Sequence, residues 1–527
     1  MKRILSIVIL LCVIVSAYAD DDVIEIWNKA QLETFRDAVN GGNNYSGKTV
    51  RLMADLNLGD GWTPIGIIDD EDHSFKGTFD GQGNTINISV TGSSTVLGLF
   101  GYFRGTVENL KVTGKVLNTE TTLTSSTAGI VAYNRGIISQ CACVATIQGT
   151  IVGGIAGENH GTITNCYHQG NIYATNEDAG KYLGGIAGIL NGTAISNVYA
   201  FCGTMDNVSS TGGIVATNQE GTLSNSNCFY DVTWNDSGKM VGSCTLTGNA
   251  LNGQLNTEND YSIWTFAVGE LPELTCFKNK IVRLGDNNDN GVILASYHEK
   301  TCTVELSGRT LYNDGAWNTL CLPFDLTLSG SVLDGGDVTA KVLDSSGTSL
   351  DGEGLLTLSF KDAPLTILAG TPFIIKWNNT GSHLTNVRFS GVTLYNTAPN
   401  PVKFSNASGE QGEFVGAYSP FSIDAGNIDK IVLLSDANTL GYSKNPRTLR
   451  SCRAHFMIPT SSSGIRAMVD FDIDFNGGES TGVAALNDNR EMIHDNDGWY
   501  TLTGVKLDGK PTRRGIYLHN GRKEAVK

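Results

Sequence analysis

The fold is decided by residues 153–172, which read Gly-Gly-Ile-Ala-Gly-Glu-Asn-His-Gly-Thr-Ile-Thr-Asn-Cys-Tyr-His-Gln-Gly-Asn-Ile. Variants of the opening phrase recur four more times, and the second residues of successive copies lie 31, 25, 31 and 28 positions apart. A period of roughly 20 to 50 residues is typical of a stacked array, because a single unit cannot bury its apolar face alone. The other copies occupy residues 97–101, 128–132, 184–188 and 212–216.

The unit predicts three short strands separated by bends. Residues 153–157 are too few and too rich in Gly for a helix, so they predict one buried strand. The Asn-His-Gly at 159–161 predicts a turn, because Asn and Gly tolerate positive φ. Strands are expected at 162–164 and 167–172, with a bend at 165–166. Three strands and three bends per repeat predict one coil of a right-handed parallel β-helix, a β-solenoid.

Stacking explains which residue types repeat. Coils that lie on one another at the strand spacing of about 4.8 Å place like residues in columns. The repeated Ile and Val are expected to face inward, and the repeated Asn to lie at corners, where their amides bond along the stack. The repeated residues are therefore predicted to be scaffold.

The repeat resembles the GLUG motif of bacterial surface and secreted proteins. The resemblance covers about residues 97–232 and is fullest at 153–172 and 184–200. Residues 62–86 also resemble the first coils of proteins in that family. The resemblance implies a β-solenoid fold and a surface location, but no specific ligand.

The N-terminus predicts export. Residues 1–19 combine a positively charged start, an apolar run too short to span a bilayer and an Ala-Tyr-Ala cleavage site before Asp20. No other segment is long and apolar enough to cross a membrane. We therefore expect an exported protein at the cell surface or in the extracellular space, associated with the outer membrane.

The remainder of the chain divides into five predicted regions. We expect an N-terminal strand and capping helix, a GLUG-repeat β-helix, an antiparallel β-sandwich-like domain, a polar linker and a β-rich tail. The tail, and a phrase at 317–324, resemble parts of exported Bacteroidetes proteins, in which such tails serve sorting or anchoring. The regions are residues 20–44, 45–284, 285–475, 476–495 and 496–527.

Two segments are predicted to close the ends of the β-helix. Leu32, Phe35 and Val39 have the spacing of an amphipathic helix that covers the first coil. Residues 264–274 are rich in Trp, Leu and Pro and predict a plug at the last coil.

Composition excludes some partners. The 527 residues are 40% hydrophobic and carry a net charge of −16, which argues against binding to nucleic acid or anionic membranes. Ten cysteines remain after the signal peptide, and they fit either buried thiols or disulfides. Cys141 and Cys143 lack the spacing of a zinc or redox pair.

Two acidic stretches are candidates for calcium. The cluster at 69–73, whose acidic run is 69–72, is either a cation site or a solvated loop. Residues 286–291 match the first half of a calcium loop, but Tyr297 stands where the bidentate Glu belongs, which also fits a turn between domains. We assign no catalytic, cofactor-binding or metal-binding residue and expect no cofactor.

Enzymatic signatures are absent from the sequence. His160 and His168 form a close pair, but no His-Glu-x-x-His, Gly-x-Ser-x-Gly or phosphate-loop motif occurs. Several aromatic residues could form an exposed platform for sugar rings or a ladder within the solenoid. These are Trp62, Tyr102, Tyr133, Tyr167 and Tyr199.

The sequence patterns support two hypotheses about function. The first is a non-enzymatic, adhesin-like surface protein that binds glycan or host protein through a lateral face of the β-helix. The alternative is a polysaccharide lyase or glycoside hydrolase that uses groove carboxylates. They differ in whether paired Asp or Glu, or a set of Asp, Lys and Arg, converge on one lateral face. The sequence leaves the ligand, the mode of anchoring and the oligomeric state open.

Overall fold

The chain divides into two compact units, Met1–Ile281 and Val282–Lys527. The predicted signal peptide and linker lie outside the described residues, and the finer domain borders stay predictions. The computed structural model describes residues 23–67, 69–175, 181–191, 194–206, 208, 210–219, 222–223, 227–230, 255, 262–265, 270–335, 337–350, 356–406, 409–434, 440–443, 445–458, 471–474, 499–501, 506–507, 515–519 and 522–526.

The first unit is a parallel β-solenoid of about seven turns, which confirms the predicted fold. Each full coil contributes one strand segment to each of four lateral faces. Face 1 comprises Val96–Leu97, Ser126–Ala128, Ile151–Gly153, Tyr182–Gly184 and Ser210–Gly212. Face 2 comprises Phe100–Phe103, Val131–Asn134, Ala156–Asn159, Ala187–Leu190 and Val215–Asn218.

Faces 3 and 4 are joined by strands that bend from one face to the other. Face 3 comprises Val23–Ile26, Thr49–Leu52, Thr78–Asp80, Thr106–Glu108, Ile137–Ser139, Thr222–Leu223 and the first halves of Thr162–Gln169 and Ala194–Phe201. Face 4 comprises Leu56–Asp60, Thr85–Gly92, Lys111–Asn118, Ala142–Gly149, Ile172–Ala174, Cys228–Tyr230 and the second halves of those two strands.

The prediction that residues 153–157 form a single strand was wrong. Face 1 ends at Gly153 and face 2 begins at Ala156, so the Gly-Gly-Ile-Ala-Gly phrase crosses a corner. The second glycine of the phrase makes room for an inward side chain from face 4. A Cβ at Gly154 would lie 2.2 Å from Cγ of His168. The second glycine repeats in every copy because its position in the corner tolerates no side chain.

The corner between faces 3 and 4 confirms the predicted Asn column. Asn109, Asn165, Asn197 and Asn227 have φ of 54°, 53°, 53° and 68°, in the left-handed region that Asn tolerates. The side-chain amides can also bond along the stack: Nδ2 of Asn227 donates to Oδ1 of Asn197 at 3.0 Å. Gln82 and Gln140 take the same conformation, at φ of 52° and 49°, in two of the other coils. These residues turn successive coils, and the amide bond joins the coil of Asn197 to that of Asn227.

Helix α1 (Lys29–Asn40) lies at the first-coil end of the core, as predicted. Its N-cap Asn28 accepts a hydrogen bond from the Gln31 amide at 3.0 Å, which satisfies an otherwise unpaired N–H. Leu32, Phe35 and Val39 are its buried residues and join the solenoid core.

The predicted C-terminal plug instead runs along the outside of face 4. We call residues 262–265 and 270–280 the strap. The strap contains the antiparallel strands Trp264–Thr265 and Glu273–Leu274 and the short helix α2 (Thr275–Lys278). Trp264 and Leu274 cluster with outward aromatics of face 4, including Tyr167, which need cover from water.

The strap also reaches back to the first coils. The Tyr199 hydroxyl donates to the Pro272 carbonyl at 2.6 Å, near the late coils. At the other end, Lys280 forms an ion pair with Asp55, which lies just before the first strand of face 4. The strap therefore spans most of the solenoid's length.

No disulfide joins the nine cysteines that the structure describes, and seven of them are buried. Burial raises the pKa of the Cys143 and Cys228 thiols to about 12. Of the two alternatives left open by the sequence, the structure shows the thiol form.

The buried His168 is expected to make the stability of the solenoid sensitive to acid. The side chain is fully buried, and this burial lowers its pKa to about 4 because the imidazolium loses its hydration. Between pH 6.5 and 4 the unfolded chain binds a proton that the folded chain does not, so stability falls as pH falls. This histidine alone is expected to cost about 3 kcal/mol by pH 4.

His168→Leu tests this expectation. The variant should lack the acid-induced loss of stability that His168 causes in wild type. The difference in unfolding free energy, variant minus wild type, should therefore rise by about 3 kcal/mol between pH 7 and pH 4 in denaturant titrations. His298→Gln, which changes an exposed histidine of the second unit, is the control. A constant difference across this pH range would contradict the prediction.

The second unit consists mainly of antiparallel sheets, as predicted. Its largest sheet has eleven strands among the described residues, and two of its pairings are parallel. The strands of this sheet are Asn318–Cys321, Val338–Leu343, Ser349–Leu350, Leu356–Asp362, Pro372–Trp377, Val402–Asn406, Gln411–Ala417, Ile431–Leu434, Leu440–Tyr442, Arg453–Met457 and Phe471–Asp474.

Smaller sheets complete this unit. Ile281–Gly285, Thr301–Ser307 and Arg388–Thr393 form a three-stranded sheet, and helix α3 (Gly291–Ser296) follows its first strand. The paired short strands are Thr310–Leu311 with Leu384–Thr385, Leu326–Thr327 with Thr366–Ile367, and Phe421–Ile423 with Arg447–Leu449.

The C-terminal tail forms a four-stranded antiparallel sheet. Its strands are Trp499–Thr501, Lys506–Leu507, Gly515–His519 and Arg522–Val526. A sorting or anchoring role for this sheet stays a prediction. In the part of the chain that the structure describes, every helix is too short or too polar to cross a membrane.

Candidate ligand-binding groove

Faces 1 and 2 meet at a re-entrant corner on the outside of the solenoid. The Ser126 hydroxyl on face 1 donates to Oε1 of Glu158 on face 2 at 2.9 Å. A Cβ at Gly101 of face 2 would lie 3.0 Å from Cγ2 of Val96 on face 1. Outward groups of successive strands can touch only where the surface is concave. The two faces therefore form a concave strip that runs along the stack. Val96 and Ser126 are buried at its base, and face 2 supplies its exposed wall. We call this strip the lateral groove.

One wall of the lateral groove carries a row of rings. Tyr102 and Tyr133 are direct neighbours in the face 2 register, and their ring centroids lie 5.4 Å apart. The imidazole of His160 stacks on Tyr133 at 4.7 Å. All three side chains are half-buried, so their edges reach solvent. Burial raises the pKa of Tyr102.

Basic residues accompany this row. Arg104, Arg135 and His160 occupy the same turn, one residue after face 2, in three successive coils. The Arg135 guanidinium lies 5.1 Å from the centroid of the Tyr133 ring and donates to its hydroxyl at 3.3 Å. The hydrogen bond to Tyr133 is the main reason that the pKa of Arg135 is raised.

The acidic loop lies against these arginines. Oδ1 of Asp69 accepts from Arg104 at 2.9 Å and from Arg135 at 3.3 Å. Farther along the wall, Glu158 lies 3.3 Å from Nε2 of His160. The lateral groove thus combines aromatic edges, cations and carboxylates within three coils.

Other carboxylates of the acidic loop are also paired. The Asp70 carboxylate accepts from the backbone N–H of His73, which lowers its pKa, and lies 2.8 Å from Nδ1 of the same residue. Lys76 donates to Glu71 at 2.7 Å and lowers its pKa. Among the described residues, no group of three His, Cys, Asp or Glu could hold a metal ion. Calcium binding at 69–72 stays a prediction, because calcium also takes backbone carbonyl oxygens as ligands.

The second calcium candidate is built into the second unit. The Asp286 side chain is 2% exposed and is bound by the guanidinium groups of Arg450 and Arg453. The Asn290 amide donates to the carbonyls of Gly285 and Tyr418 at 3.1 and 2.7 Å. The Asp286 carboxylate and the Asn290 amide are thus bonded to other groups of the protein, so residues 286–291 form an ordered turn.

Carboxylates that could serve an enzyme lie on another face. Asp80 and Glu108 are direct neighbours on face 3. Burial, and secondarily the Asp80 charge, raise the pKa of Glu108. Asp80 accepts from Asn109 at 3.1 Å. This pair belongs to face 3, whereas the ring row lies on face 2.

The aromatic candidates divide into three groups. Tyr102 and Tyr133 line the lateral groove. Tyr167 and Tyr199 stack at 4.9 Å beneath the strap, and Trp62 is buried with its Nε1 donating to the Leu99 carbonyl at 3.1 Å. Only the first two of these five are therefore available to a ligand in the described structure.

Sequence analysis missed the arginines and Glu158. The signal was present in the alignment of repeats, because Arg104, Arg135 and His160 each stand immediately before a turn glycine. The residues that repeat form the scaffold, whereas the position before the turn glycine varies and carries the basic side chains.

Comparisons with known proteins leave the function open. No family model matches the chain, and no curated protein matches it. The crystal structure of a "putative immunoglobulin A1 protease" from Bacteroides ovatus is similar over 49% of this chain and 94% of its own, with 17% identity and a TM-score of 0.37. At that TM-score the similarity carries no argument about activity. The fold shown for this chain is a parallel β-solenoid followed by a unit of mainly antiparallel sheets.

Proposed function

We propose that this protein is a non-enzymatic, exported surface protein with an adhesin-like role, and that its lateral groove binds glycan. The row formed by Tyr102, Tyr133 and His160, with Arg135 and Glu158 beside it, carries the proposal. Sugars present apolar C–H faces together with hydroxyl groups, so their binding sites combine aromatic surface with planar polar side chains.

The arrangement also suits an extended ligand. The row follows the coil stack, and Tyr102 and Tyr133 occupy equivalent positions one strand spacing, about 4.8 Å, apart. A long chain laid in the lateral groove can therefore make similar contacts in successive coils. Location at the cell surface, and membership of the GLUG family, are part of this proposal and rest on the sequence patterns at 1–19 and 97–232.

The alternative is a polysaccharide lyase or glycoside hydrolase. The neighbouring carboxylates Asp80 and Glu108 on face 3 are the observation that favours it, since a raised pKa suits a general acid. The lateral groove supports the binding role better, because its carboxylates at 69 and 158 are each held by a basic side chain.

Tyr133→Ala is expected to weaken glycan binding at least tenfold. The substitution removes the central ring of the row and the group on which Arg135 rests. The measurement is binding of the mature protein to a glycan and extracellular-matrix array, scored for both retention and released products. Phe201→Ala, which truncates an exposed aromatic of face 4, is the control.

Each outcome of this array is informative. Equal retention by wild type and Tyr133→Ala would contradict binding in the lateral groove. Release of oligosaccharides, lost in Glu108→Gln, would support the enzyme instead.

A further inference from the structure

We propose that the glycan of the lateral groove is acidic, and that Arg104 and Arg135 receive its carboxylate at the position now occupied by Asp69. This inference rests on the proposed function and names the class of ligand. The observations behind it concern the column of basic residues in the turn after face 2, Arg104, Arg135 and His160.

The two arginines carry more donors than Asp69 can use. Both contact the same oxygen, Oδ1 of Asp69. Nε of Arg104 is buried without a hydrogen-bond partner. A guanidinium group presents a planar fork that fits a carboxylate with two parallel hydrogen bonds. Arg104 binds Asp69 through Nη2 alone and leaves Nε unpaired, which suits a carboxylate that accepts from both nitrogens.

Asp69 can be displaced at low cost. Its side chain is 35% exposed and belongs to a loop, while Arg135 is 37% exposed and Arg104 is 19% exposed. The pair with Arg135 is exposed on both sides and therefore stabilises the loop little, so the pair with Arg104 is the main contact that a ligand must replace. Exchange of Asp69 for a ligand carboxylate therefore conserves charge pairing, and the ligand adds contacts with the ring row.

Tyr133 holds Arg135 in place for this exchange. The Tyr133 ring lies under the guanidinium, and the Tyr133 hydroxyl accepts a hydrogen bond from Nη2 of Arg135. The arginine therefore keeps its position when Asp69 leaves. The net charge of −16 repels polyanions at long range, but this repulsion is screened beyond about 10 Å at 0.1 M salt. Recognition of a carboxylate here is local.

The experiment uses matched acidic and neutral probes. Polygalacturonate, alginate and hyaluronan are each compared with their carboxyl-reduced forms by biolayer interferometry of the mature protein at 0.15 M salt. Wild type is expected to bind at least one acidic polymer at least tenfold more tightly than its reduced form.

Asp69→Asn gives the sharpest result. Removing the internal competitor is expected to tighten binding of the acidic polymer three- to tenfold and to leave the reduced form unchanged. Asp72→Asn removes the same charge from the same loop without contacting the arginines, so it should change neither. Arg135→Gln should abolish the preference for the acidic form.

The outcomes separate this inference from the proposed function. Equal binding of acidic and reduced polymers, both weakened by Tyr133→Ala, would overturn the acidic ligand and leave glycan binding intact. Unchanged or weaker acidic binding in Asp69→Asn would overturn the competition with Asp69. No retention of any glycan on the array would overturn the proposed function itself. Thermal unfolding of each variant verifies that it is folded.

Discussion

Gly154→Ala is expected to lower the unfolding free energy of the solenoid unit by more than about 3 kcal/mol, at or beyond the upper end of the usual cost of overpacking. The added Cβ would lie 2.2 Å from Cγ of His168 and 2.5 Å from the Gly185 carbonyl oxygen. The second contact is with backbone of the next coil, so rotation of a side chain cannot relieve it. Denaturant titration of the folded protein measures the loss.

Two further variants test the cause. Gly92→Ala is the matched control, because a Cβ there meets nothing within 4 Å. At Gly129 the added Cβ would lie 2.2 Å from Sγ of Cys143 but 3.3 Å from the nearest backbone atom. Gly129→Ala should therefore be rescued by Cys143→Ala, with a coupling energy of at least about 1 kcal/mol. Equal stabilities of Gly154→Ala and Gly92→Ala would contradict the role given to the corner glycines.

Asp286→Ala is expected to destabilise the second unit by about 3–5 kcal/mol, because it leaves two arginines facing an empty buried position. The Asp286 carboxylate is 2% exposed and accepts from Arg450 at 3.4 Å, and it also binds Arg453. Its backbone N–H donates to Ser307, and its carbonyl accepts from Ser451. Loss of the side chain therefore loosens a position that several strands share. Hydrogen exchange of the second unit reports this loss separately from the solenoid.

Asp362→Ala provides the comparison. Asp362 is 87% exposed in its ion pair with Lys341, so its loss should cost at most about 1 kcal/mol. Calcium should leave the stability of wild type unchanged, since the carboxylate is already neutralised. Stabilisation by calcium that disappears in Asp286→Ala would show instead that residues 286–291 bind the ion.

Much of the fold could be predicted because repeats multiply a weak local signal. One Gly-Gly-Ile-Ala-Gly phrase is ambiguous, but five at similar spacing fix a stack, and the stack fixes which residues face inward. The corner Asn residues were predictable for the same reason. The split of residues 153–157 across a corner was not, because it depends on His168 and its equivalents, which lie across the core.

The groove was harder to predict because it depends on register. Residue 69 lies 35 positions before Arg104 and 66 before Arg135, and only coil stacking brings them together. The sequence named the tyrosines at 102 and 133 as candidates but could not separate them from those at 167 and 199. That separation is made by the strap, whose course along face 4 no local pattern indicates.

The strap also determines how the solenoid responds to mechanical load. A stack held only by contacts between neighbours can peel from one end, coil by coil. Here the chain that leaves the last coils is fastened again beside Lys111, through Glu273, and beside Asp55, through Lys280. A pull that separates the end coils must shear these attachments together. The solenoid is therefore expected to rupture in one large step instead of many small ones.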